Sequence, residues 1–132
     1  MIQHVQPDKR KALSLIQASE NDIGFTLTLK PNKSSGNTIV RNIYECFRML
    51  GEALLISRGI KSDDHILPIN ELMKMDVNTT RPISLLDNLR RLRHNINYQG
   101  YSPSVVEVED VISLAKSCFE PLKKTVLEKI GK

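Results

Sequence analysis

Polar groups suited to recognition crowd the stretch Leu89-Arg-Arg-Leu-Arg-His-Asn-Ile-Asn-Tyr-Gln-Gly-Tyr101. Guanidinium groups grip phosphates and carboxylates through paired donors, an amide offers a donor and an acceptor to a base edge or ribose, and a tyrosine ring stacks on a base. The chemistry open to them is binding of an anion, a nucleotide or RNA. On a helix turning about 100° per residue, Leu85, Leu89, Leu92 and Ile96 form one apolar stripe. Arg90, Arg93 and Asn97 run along one flank of that stripe, beside Leu86, and His94 points away from it. The same residues have a structural reading. Arginine stems can lie over a core with their heads in water, and Tyr98 and Tyr101 can pack onto the end of a bundle.

The elements that must position this group follow from caps and periodicity. Thr80 is a suitable cap, Pro82 suits a first turn and Gly100 a stop, which predicts a helix of about five turns. A second strong helix is predicted from Asn37 or Thr38 to Ser57-Arg58-Gly59, with Ile43, Phe47, Leu50 and Leu54 on its apolar stripe. Arg41, Glu45, Arg48 and Glu52 occupy another face of that helix, alternating in sign. As a solvent-exposed ladder they contribute only tenths of a kcal/mol per pair. Turned towards the Thr80 helix, they become the opposite wall of a cleft. Arg41, Arg48, Arg90 and Arg93 would then repel one another unless Glu45 and Glu52, or a bound anion, compensate.

The remaining segments also read as helical. Pro7 to about Ala18 forms a helix capped by Asp8, with Ala12, Leu15, Ile16 and Ser19 at helical intervals. Residues 22–30 fit both a strand, through alternating Phe25, Leu27 and Leu29, and a continued helix, through Ile16, Ile23 and Leu27. They are assigned to helix, because a lone strand needs a partner and no other segment alternates. Pro31 to Gly36 is a loop. Ser62-Asp63-Asp64 precedes a short helix from His65 to Met75, broken early by Pro68. A last helix starts at Ser102-Pro103 and carries Val108, Val111, Ala115, Cys118, Leu122 and Val126 inward, with a kink expected at Pro121. The expected fold is all-α, an antiparallel up-down bundle of four or five helices. Phe47, Leu50, Leu54, Leu89, Leu92, Ile96, Val111 and Cys118 should share one core.

Composition narrows the classes further. At 132 residues the chain has the length of one domain, and 5% aromatics with no Trp require a mainly aliphatic core. A net charge of +4 permits an anionic partner without demanding one. Cys46 and Cys118 lack metal or disulfide spacing and read as small buried hydrophobes. No apolar run is long enough for a membrane span, so a cytoplasmic protein without membrane association is expected. Asp63 and Asp64 beside His65 lack further ligands at metal spacing. With no Gly-rich phosphate loop, no nucleophile with its base and no metal motif, no cofactor is expected.

Taken together, Arg41-Asn-Ile-Tyr-Glu-Cys-Phe-Arg-Met-Leu-Gly-Glu-Ala-Leu-Leu-Ile-Ser-Arg-Gly-Ile60 and Leu89-Arg-Arg-Leu-Arg-His-Asn-Ile-Asn-Tyr98 resemble the HEPN superfamily of helical nucleotide-binding domains. The likeness covers about half the chain. It implies a single HEPN-like domain over residues 1–132, commonly dimeric, in a family of metal-independent ribonucleases, toxins paired with small nucleotidyltransferases, and non-catalytic nucleotide- or RNA-binding modules. Ribonuclease members place an Arg ahead of a His on the late helix with four to six residues between the two. Here the positions preceding His94 by that spacing are Asp87, Asn88 and Leu89. Arg58 and His65 meet the spacing only across Gly59 and the Ser62 cap. The resemblance therefore implies a binding variant in which Arg93 is followed by Asn97-Tyr98, with Arg41, Arg48, Arg90, Arg93, Asn97 and Tyr98 as the nucleotide or anion site. Asn exchanges no proton near neutral pH, which removes the acid–base step a His would provide. This reading extends to a homodimer and to the partner subunit of a small nucleotidyltransferase in a toxin–antitoxin pair; the alternatives are a metal-independent ribonuclease of unusual motif using Arg90, Arg93 and His94, and a dimeric structural subunit.

Overall fold

Segment Gly36–Ser57 is the helix around which the others assemble, because its sequence is apolar on nearly every side. Thirteen of its 22 residues are buried, among them Ile39, Ile43, Tyr44, Phe47, Leu50 and Leu54. A helix so covered must be surrounded by other elements. The computed structural model describes residues 2–64 and 66–131, and in it five helices form an all-α bundle: α1 (Lys9–Thr26), α2 (Gly36–Ser57), α3 (Ile66–Met73), α4 (Leu85–Gln99) and α5 (Val105–Ile130). α1, α3, α4 and α5 all pack on α2. Phe47 and Phe119 meet edge to face at 5.7 Å across the α2–α5 contact. Each large aliphatic side chain fully buried in this way contributes about 1.5–3 kcal/mol.

Local chemistry explains the boundaries. Asp8 caps α1 by accepting the Lys11 amide at 2.9 Å. The helix assigned to residues 22–30 continues α1 only to Thr26, after which residues 27–29 turn. The Thr26 hydroxyl donates to the Asp22 carbonyl at 2.7 Å and receives the Asn42 amide at 3.3 Å, tying this end of α1 to α2. α5 begins two residues later than expected. Ser104 and Glu107 form a reciprocal capping box that outcompetes Ser102-Pro103 as the start signal. Pro121 lies inside α5 without ending it. Pro68 does not break α3, since it sits in the first turn, where its missing N–H has no intrahelical acceptor. Asp64 caps that turn through the Ile66 amide at 2.8 Å; His65 lies outside the described residues.

Two expectations need correction. The sequence predicts no sheet, yet β1 (Ile2–His4) and β2 (Ile60–Ser62) pair antiparallel, with Gln3 opposite Lys61. Neither three-residue strand is long enough to show alternation. The ladder continues as the Val5 amide donates to the Gly59 carbonyl at 2.8 Å and the Asp8 amide to the Ile56 carbonyl at 3.1 Å. Gly59 takes φ 76° there, and a Cβ on it would lie 2.5 Å from the Val5 carbonyl oxygen. The second correction concerns the start of α4. Thr80 and Pro82 do not open the helix, because Arg81 is fastened to α5: its amide donates to the Ser117 hydroxyl at 2.8 Å, and its guanidinium donates to the Asp110 carbonyl at 2.9 Å and pairs with the Asp110 carboxylate at 3.0 Å. The chain then winds through short i to i+3 bonds from Pro82, Ile83 and Ser84 before α4 proper begins, leaving 15 residues. Gly100 ends α4 as expected.

Among the glycines, the tightest surroundings are at Gly51, where a Cβ would sit 2.1 Å from the backbone oxygen of Pro68. Only glycine lets α3 lie this near α2, so Gly51→Ala must push the two apart. Overpacking of this kind costs about 1–3 kcal/mol and sometimes more. Urea denaturation should show a lowered midpoint for Gly51→Ala, whereas Gly24→Ala, whose Cβ meets nothing within 4 Å, should be neutral or stabilising.

Candidate nucleotide and anion site

Two contacts bring α2 and α4 together at their polar flanks. The Arg41 Nε donates to Asn97 Oδ1 at 2.7 Å, and the Arg93 guanidinium lies 5.1 Å from the centre of the Tyr44 ring. Residue numbers rise on α2 as they fall on α4, so the helices run antiparallel along this seam. Arg41, Tyr44 and Arg48 follow helical spacing on α2, as Arg90, Arg93 and Asn97 do on α4, which is why each set forms one ridge. Leu86, Leu89 and Ile96 hold α4 in place by burial.

The six residues expected at the site divide by what neutralises them. Arg48 is clasped within α2. Its Nε donates to Glu45 at 2.9 Å, Nη2 donates to the other Glu45 oxygen, and Nη1 donates to Glu52. Hydrogen bonding to Glu45 is the main reason its pKa lies above the usual arginine value. The alternating face is thus a paired ladder at Arg48. Arg90 is held by Asp87, Nε to Oδ1 at 3.0 Å, while Arg91 takes the other oxygen of the same carboxylate at 2.6 Å. Arg41 and Arg93 differ: among the described residues neither forms an ion pair, one having an amide as partner and the other an aromatic face. Arg41 and Asn97 are exposed and Arg93 is half-buried. Tyr98 is 66% exposed, and its ring meets that of His94 with centroids 4.9 Å apart. An aromatic pair thus stands on α4 beside Asn97.

Tyr44 was not singled out from the sequence, though it seats Arg93. It is almost wholly buried, and its phenol is pushed above the ordinary value by that burial, against the opposing pull of Arg93, Arg48 and Arg90. Its only sequence signal was its place one helical turn after Arg41. Asp87 was likewise missed as the residue that neutralises Arg90; its position three residues earlier on the same helix was the available cue. Cys46 faces the core from α2, and burial, with Asp22 and Glu45 adding, raises its thiol to about 12. Such a thiol is inert at neutral pH. No cluster of His, Cys, Asp and Glu able to hold a metal occurs among the described residues. No helix among them is long and apolar enough to cross a membrane.

Compared with known proteins, the chain matches no family model, no curated protein and no solved structure.

The arrangement suits charge recognition next to base stacking. Two uncompensated guanidinium groups can meet phosphate oxygens, the Asn97 amide can turn to a ribose or base edge, and the exposed Tyr98 ring presents a stacking face. The acid side of this balance is testable. Asp87 is held below the ordinary carboxylate range, first by its hydrogen bond from Arg90, so its contribution to stability is complete above the ordinary value and fades as pH falls through the lowered one. Melting temperatures followed from neutral to acidic pH should therefore fall less steeply on the acid side for Asp87→Asn than for the wild type.

Proposed function

We propose that this chain is a non-catalytic, HEPN-like helical module that binds the phosphates of a nucleotide or RNA at the α2–α4 seam. The observation carrying this reading is that Arg41 and Arg93 both lie on this seam and, among the described residues, neither forms an ion pair, while Arg48 and Arg90 are each paired with a carboxylate. An arginine held on an aromatic ring keeps its donors available for a planar anion. His94 supports binding better than catalysis, since its ring is engaged with Tyr98 and the arginine one turn earlier, Arg90, is engaged with Asp87. The resemblance to HEPN proteins extends the proposal to a small nucleotidyltransferase as protein partner, whose acidic surface the same cations would meet.

Binding of single-stranded RNA should be weak and salt-sensitive, because each phosphate contact releases counterions and contributes about 0.7 to the slope of log affinity against log salt. Arg93→Ala should lower affinity about tenfold and flatten that slope by about one contact, with helix content retained. Arg48→Ala should lower affinity less, since its charge is already matched. Fluorescence anisotropy at two salt concentrations, with the same samples run on a gel for RNA cleavage, separates the readings. Metal-independent cleavage lost in His94→Ala would replace this proposal with a ribonuclease, and absence of binding in the wild type would reject it.

A further inference from the structure

The polar strip of α2 extends beyond the α4 seam. Adjacent residues tie it to two different neighbours: Arg41 bonds Asn97 of α4, and Asn42 bonds Thr26 of α1. On the α1 side the strip opens into a pocket of about 260 Å³ lined by Asp22, Phe25, Thr26, Asn42 and Glu45. Sites that enclose drug-sized molecules run from about 300 to 1,000 Å³, so this one suits a single flat ring system. The Phe25 ring stands outside the core, 64% exposed.

One shared hydroxyl sets the hydrogen-bonding character of this pocket. Thr26 spends its single hydroxyl proton on the Asp22 carbonyl at 2.7 Å, so towards Asn42 it can only accept. Asn42 must therefore turn its amide nitrogen to Thr26, at 3.3 Å, which leaves Oδ1 as the end still open to a donor. Among the described residues the Asp22 carboxylate enters no ion pair or hydrogen bond. Glu45, though engaged with Arg48, is also an acceptor. The polar groups still open in the pocket are thus acceptors, and its occupant must bring donors. Across α2 the charge is reversed, with Arg41 and Arg93 on the side of α4.

We propose, on the reading of the seam as a phosphate site, that this pocket holds a guanine base whose phosphate lies on Arg41 and Arg93, the ligand being a guanosine phosphate, either free or as an unpaired residue of RNA. Of the four RNA bases only guanine presents two neighbouring donors on one edge, N1–H and the N2 amine, which match the two oxygens of a carboxylate. Uracil offers one donor between two carbonyls, and adenine and cytosine one amine beside a ring acceptor that a carboxylate repels. Asp22 reads the guanine edge, Asn42 Oδ1 adds a further acceptor, and Phe25 supplies the stacking face. Asp22 and Glu45 also repel phosphate from the α1 side. The ligand therefore crosses α2 in one direction, base towards α1 and phosphate towards α4.

Fluorescence anisotropy at low salt, with labelled oligouridylate strands carrying one central G, A, C or inosine, tests this assignment. The G strand should bind about tenfold more tightly than the A, C and all-U strands, as one bidentate base contact confers. Inosine, which lacks the N2 amine, should lose most of that margin. Asp22→Asn replaces one acceptor with a donor and should erase the margin while binding of the all-U strand is kept. Phe25→Ala should weaken the G strand most. Both side chains are exposed, so helix content by circular dichroism should be unchanged. Arg93→Ala should weaken all strands alike and keep the margin. Guanosine monophosphate should displace the G strand better than adenosine monophosphate does; displacement as effective as by unlabelled G strand assigns a free nucleotide as the source, and weaker displacement assigns RNA. Equal affinity for the G, A and all-U strands, or a G preference that survives Asp22→Asn, would overturn the guanine pocket and leave the phosphate seam standing. Absence of binding by every strand would overturn both.

Discussion

Burial of α2 on nearly all sides is the constraint from which the rest of the structure follows. A 22-residue helix with so little polar surface cannot stand at the edge of a bundle. α1, α3, α4 and α5 are therefore its walls, and the short β1–β2 pair fastens the N-terminal chain across the end of α2 at Gly59. The packing leaves little tolerance. Gly51 allows the Pro68 backbone to rest directly on the helix, and Tyr44 spends a buried phenol ring on supporting an arginine from α4. What polar surface α2 retains is thereby limited to a narrow strip, with Arg41 at its open end and the Arg48 clasp further along.

That strip shows how charge composition and charge availability diverge. Counted from the sequence, four arginines line the facing flanks of α2 and α4; in three dimensions Glu45 and Glu52 pair with one, and Asp87, which also takes Arg91, pairs with another. Surface pairs of this kind add little stability. Their larger effect is to remove two cations from the set an anion would meet, concentrating the uncompensated charge at Arg41 and Arg93. The site proposed for nucleotide or RNA binding is accordingly smaller than a list of basic residues implies. Asn97 and the His94–Tyr98 pair then supply directionality beside the charge.

α4 presents two different faces. Its flank at Arg90, Arg93 and Asn97 meets α2, while Asn88, Leu92 and Asn95 look into an open groove beside α5. The loop before it makes this placement possible: Arg81 anchors residues 79–82 to α5 near Ser117, and the chain must then travel back to begin α4 alongside α2.

Periodicity and cap residues determined most of the helices, because apolar residues at a 3.6-residue spacing have few other ways to be buried: the all-α class, the C-terminal end of α2, the Asp8 cap, the Gly100 stop and the core set from Phe47 to Cys118 apart from Leu92 were legible. The antiparallel seam was also expressible from sequence, since the polar flanks of α2 and α4 each follow helical spacing. What only tertiary structure decided depended on partners remote in the chain. The β1–β2 pair joins three-residue segments some sixty positions apart, too short to alternate visibly. The start of α4 was set by Arg81 bonding to α5, which overrode local cap chemistry at Thr80 and Pro82. Leu92 left the core because α4 and α5 diverge, and no helical wheel contains that distance. Whether an arginine is free or matched likewise rests on which rotamers its neighbours adopt, a choice made by packing after the helices have met.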